Sequence, residues 1–216
     1  MSARRRIETA LPKILAWGLL CFLFVPILVV IPVALTDRDY LSLPQDGMSL
    51  DHFAALADWS KGWLPAMLTS AAIAAGCSAL ATALGVAFAV GAWSAGGWWP
   101  SSMRILLLSP MIVPPIIYAV GMVKLWAALS LLDTYVGVIL VHVVLALPLT
   151  VMAIGASLSN LDQRLVQAAR SLGARPMTVF TRVILPNIVP GVAAGALLAF
   201  VVSWDEICLL YTSRCV

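Results

Sequence analysis

The sequence predicts an all-α membrane protein, a bundle of helices that crosses the bilayer several times. Of its 216 residues, 62% are hydrophobic and only 11% are charged, and the mean hydropathy is +1.01. A chain of that composition has too little polar surface to face water on all sides. Apolar runs of about 20 residues, enough to cross a hydrocarbon core about 30 Å thick, recur along it. These observations exclude a soluble globular domain.

Charge and cysteine content exclude two further classes of protein. The net charge is only +3, and the arginines are divided between the first residues and the 160s to 180s, so a nucleic-acid surface is not expected. The four cysteines, Cys21, Cys77, Cys208 and Cys215, lack the CxxC spacing of zinc and redox sites. We expect Cys21 and Cys77 to pack as apolar side chains within helices.

Five apolar segments are predicted to span the membrane, and together they form one domain, residues 14–206, after a basic leader of residues 1–13. The first is too long for the apolar core of a signal peptide and ends without a small-residue cleavage site, so it is interpreted as a retained span. The five segments cover residues 14–35, 63–93, 105–132, 135–158 and 188–204.

Each later span has a distinctive pattern. The second has a small residue at every fourth position, which predicts a face that a neighbouring helix can approach closely. Prolines must bend or break the third span, because they remove backbone donors, and Pro148 interrupts the fourth. The small residues of the second span are Ala75, Ala79, Ala83, Ala87 and Gly91, and the prolines of the third are Pro110, Pro114 and Pro115.

The basic residues predict which side of the membrane each loop occupies. Cytoplasmic loops carry an excess of Lys and Arg, and every cluster here falls on one side if the N-terminus is cytoplasmic. That topology places the loop 159–187, between the fourth and fifth spans, in the cytoplasm. The residues counted are Arg4, Arg5, Arg6, Lys13, Arg104, Arg164, Arg170, Arg175 and Arg182.

The loop 159–187 is predicted to form two short helices with a joint between them. Asn160 followed by Gln163 is typical of a capping box at a helix start, and Gly173 suits the left-handed position that ends a helix. Pro176 fits the first turn of the second helix, which carries an apolar stripe before Pro186 introduces the fifth span. The first helix is predicted to present Leu161, Leu165, Ala168 and Leu172 on one face, and the stripe of the second is Met177, Phe180 and Ile184.

This segment, QAARSLGARPMTVFTRVILP, resembles the EAA loop of binding-protein-dependent ABC transporter permeases. The family pattern is E-A-A, three residues, G, nine residues, I, any residue, then L-P, and every spacing is kept here. Gln167 replaces the family's acid and Val183 replaces its isoleucine. The positions that match the pattern are Gln167, Ala168, Ala169, Gly173, Val183, Leu185 and Pro186.

The resemblance implies the fold, function and partners of such a permease. The loop, including the stripe residues Met177 and Phe180, would dock into a groove on a separate ABC ATPase, which would bind the ATP. The other partners implied are a solute-binding protein outside the cell and a second permease subunit, either another gene product or a copy of this one. The implied location is the bacterial inner membrane, with several spans and a cytoplasmic N-terminus.

A looser likeness of MIVPPIIYAVGM, GVILVHVVLALPLTV and GALLAFVVSWDE to the spermidine and putrescine permeases suggests polyamines as the solute. The family has six spans, whereas five are found here. The run CLLYTS looks like an in-frame translation of a sequencing adapter. We therefore expect residues 207–216 to be a non-native tail and the chain to lack its sixth span.

Four further residues are candidates for the substrate pathway. Asp205 and Glu206 end the fifth span on the predicted outer side, where they would attract a cationic solute or simply mark the water interface. Pro114 and Pro115 break the third span, and a broken helix can expose carbonyl groups to a central path. His142, in the fourth span, is expected to bond across to another helix rather than to relay protons.

Neither a catalytic residue nor a metal site is predicted. The sequence lacks GxxxxGK[ST], HExxH and GxSxG, so the chain has neither a phosphate-binding loop nor a recognised hydrolase motif. An ion-coupled secondary transporter is the first alternative, with Asp205, Glu206 and Asp133 as its only acidic candidates. An intramembrane enzyme using His142 as its base is the second.

Overall fold

The computed structural model describes residues 3–95 and 99–206 of the chain. Within those ranges all regular secondary structure is helical, with loops between the helices and no strand. The helices are α1 (Ala3–Ala34), α2 (Asp51–Ala57), α3 (Trp63–Ala95), α4 (Trp99–Leu108), α5 (Pro115–Ala128), α6 (Tyr135–Ser159), α7 (Gln163–Ser171), α8 (Pro176–Val179) and α9 (Leu185–Asp205). Short 3-10 turns occupy Trp59–Lys61 and Ser109–Ile112, and a π turn occupies Phe180–Ile184.

Four helical segments in the described residues are long and apolar enough to cross a membrane, and a bent pair makes a fifth if it counts as one span. The pair, Ser102–Ile112 and Ile116–Ala128, bends by 104°, where Val113 is extended and Pro114 caps α5. The four unbroken segments are Pro12–Ala34, Trp63–Ala95, Tyr135–Ser159 and Pro176–Asp205. The predicted all-α polytopic fold is confirmed, as is the break at the prolines.

The chain divides into two compact units, and the first, Met1–Met67, is α1 followed by an ordered polar loop and α2. The Asp37 carboxylate accepts a hydrogen bond from the backbone amide of Gln45 at 2.9 Å. Arg38 donates to Asp46 at 2.6 Å, and the carbonyl of Arg38 lies 3.0 Å from His52 Nε2. The amide of Gln45 is the largest cause of a lowered pKa at Asp37, because it stabilises the charged carboxylate.

In the second unit, Leu68–Val216, α3, α6 and α9 pack together through residues spaced four apart. Such a spacing keeps one face of a helix directed at its neighbour. The α3 stripe is Ile73, Cys77, Ala81, Gly85 and Ala89; the α6 stripe is Val138, His142, Ala146, Thr150, Ile154 and Leu158; the α9 stripe is Gly191, Gly195, Ala199 and Ser203.

The buried face of α3 is not the one that the sequence predicted. The predicted face, which begins at Ala75 and ends at Gly91, is exposed along its whole length. The buried stripe begins two residues earlier and so lies about 200° around the helix. An alanine-rich helix has small residues on several faces, and tertiary packing selects between them. Cys77 is buried as expected, whereas Cys21 is exposed on α1.

Thr150 of α6 lies between two glycines, at the centre of this packing. A Cβ added to Gly85 would lie 2.7 Å from Thr150 Cγ2, and one added to Gly195 would lie 3.1 Å from the same atom. Both glycines are therefore required for the close approach of α3 and α9 to α6. The Thr150 hydroxyl donates to the carbonyl of Ala146 at 3.1 Å, within its own helix.

Two hydrogen bonds tie the same helices together. His142 Nδ1 of α6 and Ser203 Oγ of α9 share a hydrogen bond of 2.7 Å, with both side chains buried. Ser78 of α3 donates to the carbonyl of Ala196 in α9 at 2.7 Å. The prediction that His142 bonds across to another helix is confirmed. Among the residues that the structure describes, no group of three or more His, Cys, Asp or Glu side chains is placed to hold a metal.

The helix that carries the fifth predicted span begins earlier than the sequence indicated. The helical segment runs from Pro176 to Asp205, and Pro186 lies in the first turn of α9, as predicted. A proline ring clashes with the carbonyl four residues before it, here that of Arg182. The wider π turn over Phe180–Ile184 moves that carbonyl aside, so the helix continues through the proline.

Candidate functional site

The loop between α6 and α9 begins with a capped helix. The side chain of Asp162 accepts from the backbone amide of Arg164 at 2.9 Å and caps α7. The predicted capping box is wrong, because the side-chain amide (Nδ2) of Asn160 donates instead to the carbonyl of Ala156 at 3.2 Å, at the end of α6. An Asp directly before the first turn is the stronger capping candidate, and it was overlooked.

Gly173 ends α7 as the sequence predicts. Its φ of +79° is left-handed, its amide donates to the carbonyl of Arg170 at 2.9 Å, and the amide of Ala174 donates to that of Ala169 at 3.1 Å. These two bonds form a Schellman motif. A Cβ at Gly173 would have no neighbour within 4 Å, so the conformation of the backbone, and not crowding, requires glycine here.

The second helix starts at Pro176 as predicted, but its apolar stripe is divided. Met177 is 68% exposed, whereas Ile184 is only 5% exposed and belongs to the core. Phe180 is half-buried against that core. Ile184 therefore faces away from any partner, and the prediction of one outward stripe is correct for Met177 alone.

Two valines that the sequence analysis missed anchor the loop to the bundle. Val166 of α7 is 4% exposed and Val179 of α8 is 2% exposed. Both lie in one buried cluster with Ile154 of α6, Ile188 of α9 and Ala89 of α3. The apolar periodicity around Val166 and Ala169 would have indicated this inward face. The loop is thus packed on the ends of all three core helices.

The predicted partner-facing positions divide by burial. Gln167, Ala168, Gly173, Met177 and Pro186 are exposed, and Ala169, Phe180, Val183 and Leu185 are half-buried. On α7 the predicted face is exposed at Leu165, Ala168 and Leu172, with Leu172 exposed to 87%, whereas Leu161 is buried.

The outward surface of the loop combines these apolar side chains with positive charge. The side chains of its four arginines make no hydrogen bond or ion pair within the described ranges, and the sequence contains no acid between Asp162 and Asp205. Such a surface complements an apolar groove with acidic edges. The arginines are Arg164, Arg170, Arg175 and Arg182.

The candidate pathway residues lie away from this loop. Asp205 is the last residue of α9 and is exposed, and Glu206 follows it as the cap. Neither side chain has a partner within the described ranges. Pro114 is exposed at the bend and Pro115 begins α5. The described hydrogen bonds and core clusters do not join this bend to the acidic pair, and the roles of all four residues stay predictions.

Comparison with known families decides the class of protein. A family model described as "Binding-protein-dependent transport system inner membrane component" matches residues 81–212. The chain belongs to this family of ABC transporter permeases. The match includes α6 and the whole loop from α7 to α9, so the predicted family is confirmed. It ends within the segment 207–216, which lies outside the described residues and whose predicted non-native origin stays a prediction.

Permeases for two kinds of solute are among its relatives. The spermidine/putrescine transport system permease protein PotC of Haemophilus influenzae is 27% identical over 186 residues, covering 86% of this chain and 72% of the relative. PotB of Salmonella typhimurium is 32% identical over 212 residues, covering 86% and 69%. The molybdenum transport system permease protein ModB of Mycobacterium bovis is 30% identical over 179 residues, covering 74% and 68%.

Proposed function

We propose that this permease is the membrane subunit of an ABC importer for a polyamine or a related small cationic solute. An external binding protein would deliver the solute to this chain and a second permease subunit. ATP would be bound and hydrolysed on ABC ATPase subunits, with no cofactor on the chain itself. The observation that carries this proposal is the elbow, which consists of α7, the turn at Gly173 and α8. Its inner face is anchored in the bundle, while its outer face is apolar, basic and exposed.

The elbow has the mechanical properties that coupling requires. Val166 and Val179 are buried in the cluster that includes residues at the ends of α3, α6 and α9. Because this cluster is close-packed, a movement of α7 would displace those helix ends as well. No atom lies within 4 Å of the Cβ position of Gly173, so a change in the turn between α7 and α8 would meet no side chain at this residue. An ATPase that binds the two states of the elbow differently would bias the whole bundle between two states.

The proposed orientation follows from this role. With the elbow in the cytoplasm and the bent pair crossing as one span, residues 1–13 would lie in the cytoplasm, and Asp205 and Glu206 would lie on the outer side. Two unpaired carboxyl groups at the outer end of α9 favour a cation over an oxyanion such as molybdate. Cysteine labelling from each side of the membrane tests the orientation: labelling of the elbow from outside would overturn it.

The solute is tested by uptake into vesicles that contain the intact transporter. We expect nucleotide-dependent uptake of spermidine or putrescine, with no uptake of molybdate. Molybdate uptake would instead favour a molybdenum transport function, which is what the name of the relative ModB states. Uptake driven by an ion gradient without nucleotide would favour the secondary transporter.

The elbow is tested by Gly173→Val, with Gly62→Val as a matched control. Both glycines have a left-handed φ, +79° and +76°, and both have open space at the Cβ position. A β-branched residue there costs about 1–3 kcal/mol of backbone strain. We expect Gly173→Val to lower solute transport per ATP hydrolysed in an assembled complex, and Gly62→Val to leave that ratio unchanged. Equal ratios for the two variants would refute the role of the elbow.

A further inference from the structure

We propose that a cavity between α3, α4 and α6 binds an anionic phospholipid, with Arg104 as the charge that recognises the headgroup. The cavity has a volume of about 270 Å³, and its walls include Phe88 and Trp93 of α3 and Val151 and Leu158 of α6. The proposal rests on the proposed function only in assigning the cavity to the cytoplasmic side of the membrane. That assignment follows because the cavity lies at the end of α6 that leads into the elbow.

Arg104 is the charged side chain of this cavity, and its counter-ion is absent from the helices that form it. No Asp or Glu occurs in α3, α4 or α6. Within the described ranges Arg104 makes neither a hydrogen bond nor an ion pair. Arg104 is exposed, so an anion that approaches the cavity from outside the bundle can reach its guanidinium. The anion must therefore come from outside these helices.

Gly155 brings the guanidinium over the cavity. A Cβ at Gly155 would lie 3.8 Å from Arg104 Nη2, so Arg104 reaches from α4 across the face of α6. The charge is thus placed at the cavity, above walls that suit an acyl chain. A soluble anion or a carboxylate of the ATPase would satisfy the charge but leave the apolar walls unfilled, whereas a phospholipid supplies both the phosphate and the chain.

A second cavity continues this one towards the elbow. It has a volume of about 110 Å³ and is lined by Ser94, Gln163, Gln167 and Arg170. Trp93 lines both cavities, and tryptophan is enriched at the level of lipid headgroups. A phosphate at Trp93 would lie between an unpaired arginine of α4 and one of α7. The bound lipid would therefore contact the elbow as well as the bundle.

The test measures lipid binding to the purified, intact transporter by native mass spectrometry after exchange into phosphatidylcholine or phosphatidylglycerol. Arg104→Gln is expected to weaken retention of phosphatidylglycerol about fivefold, the effect of one arginine at an anionic surface, and Arg104→Lys to retain most of it. Arg182→Gln is the matched control, because Arg182 is exposed like Arg104 but lines neither cavity; it is expected to bind like the unmodified chain.

Two further arms separate the possible outcomes. Ala92→Leu, which reduces the volume of the cavity and keeps Arg104, is expected to weaken binding as well, and it serves if Arg104→Gln does not assemble. Inorganic phosphate should not displace the lipid. Equal retention by the Arg104→Gln and Arg182→Gln variants, no effect of Ala92→Leu, or displacement by phosphate would each overturn the proposal. The lipid-binding assay contains neither ATP nor solute, so its result does not depend on whether the proposed transport function is correct.

Discussion

Substitution of Gly191 by alanine tests the packing of α6 against α9 directly. A Cβ at Gly191 would lie 2.7 Å from Ser157 Cβ and 2.8 Å from the carbonyl oxygen of Ala153. The carbonyl belongs to the backbone of α6, so it cannot turn away as a side chain would. Ordinary van der Waals contact begins at 3.4 Å. Since Ser157 Cβ is also fixed by the backbone, the two helices must separate by about 0.6–0.7 Å to admit one methyl group.

The expected cost follows from that separation. A gap of about 0.5–1 Å forfeits a quarter to a half of the dispersion energy of a contact, and overpacking of a close-packed core costs about 1–3 kcal/mol. Replacing a mid-helix glycine by alanine returns about 1 kcal/mol through helix propensity. We expect Gly191→Ala to lower the free energy of unfolding by up to about 2 kcal/mol, which is about 1–3 kcal/mol below the value for a glycine-to-alanine change without crowding.

The assay is unfolding of the purified chain by SDS in mild detergent micelles, followed by circular dichroism. Gly91→Ala is the control, because Gly91 is also a glycine within a spanning helix but has no atom within 4 Å of its Cβ position. It should be as stable as the unmodified chain or more stable. Equal stability of Gly191→Ala and Gly91→Ala would refute the inferred contact between α6 and α9.

Three further predictions concern other parts of the chain. A double-mutant cycle on His142→Leu and Ser203→Ala should give a coupling energy of about 0.6 kcal/mol, the average for hydrogen bonds within membranes, and at most about 1.7 kcal/mol; zero coupling in SDS unfolding would contradict the bond. Pro186→Ala supplies the missing amide, so the π turn should close to an α turn and rotate α8 by roughly a quarter turn. Distances between spin labels on α8 and on α9 should therefore change, whereas the control Pro190→Ala should leave them unaltered. The hydrogen bond from the Gln45 amide holds the pKa of Asp37 below its ordinary value, so its stabilisation of the loop 36–46 is present above the ordinary Asp pKa and is lost as the pH falls through the lowered one; spin-label mobility in the loop should rise there, and Asp37→Asn should abolish that pH dependence.

Local backbone conformation could be predicted from the sequence wherever a single glycine or proline determines it. Gly173, Pro176 and the proline break before α5 have the conformations that their covalent structure requires. Side-chain packing was less predictable. On α3 several faces carry small residues, and contacts with α6 and α9 decide which one is buried. The π turn is also a tertiary outcome, because a proline can end, bend or widen a helix, and only its surroundings select between them.

The elbow and the core of the bundle are parts of one packed structure, and this explains how an exposed loop can act on a membrane span. One face of α7 and α8 supplies Val166 and Val179 to the cluster that contains Ile154 and Ile188, while the other face remains free for a partner. Close-packed side chains transmit displacement with little loss, because the interior has few voids in which to relax. Force on the outer face therefore reaches α6 and α9 directly. Gly173 is not part of that cluster, and no atom lies within 4 Å of its Cβ position; because α7 and α8 are both anchored in the same cluster, force on either helix would be passed to the ends of α6 and α9.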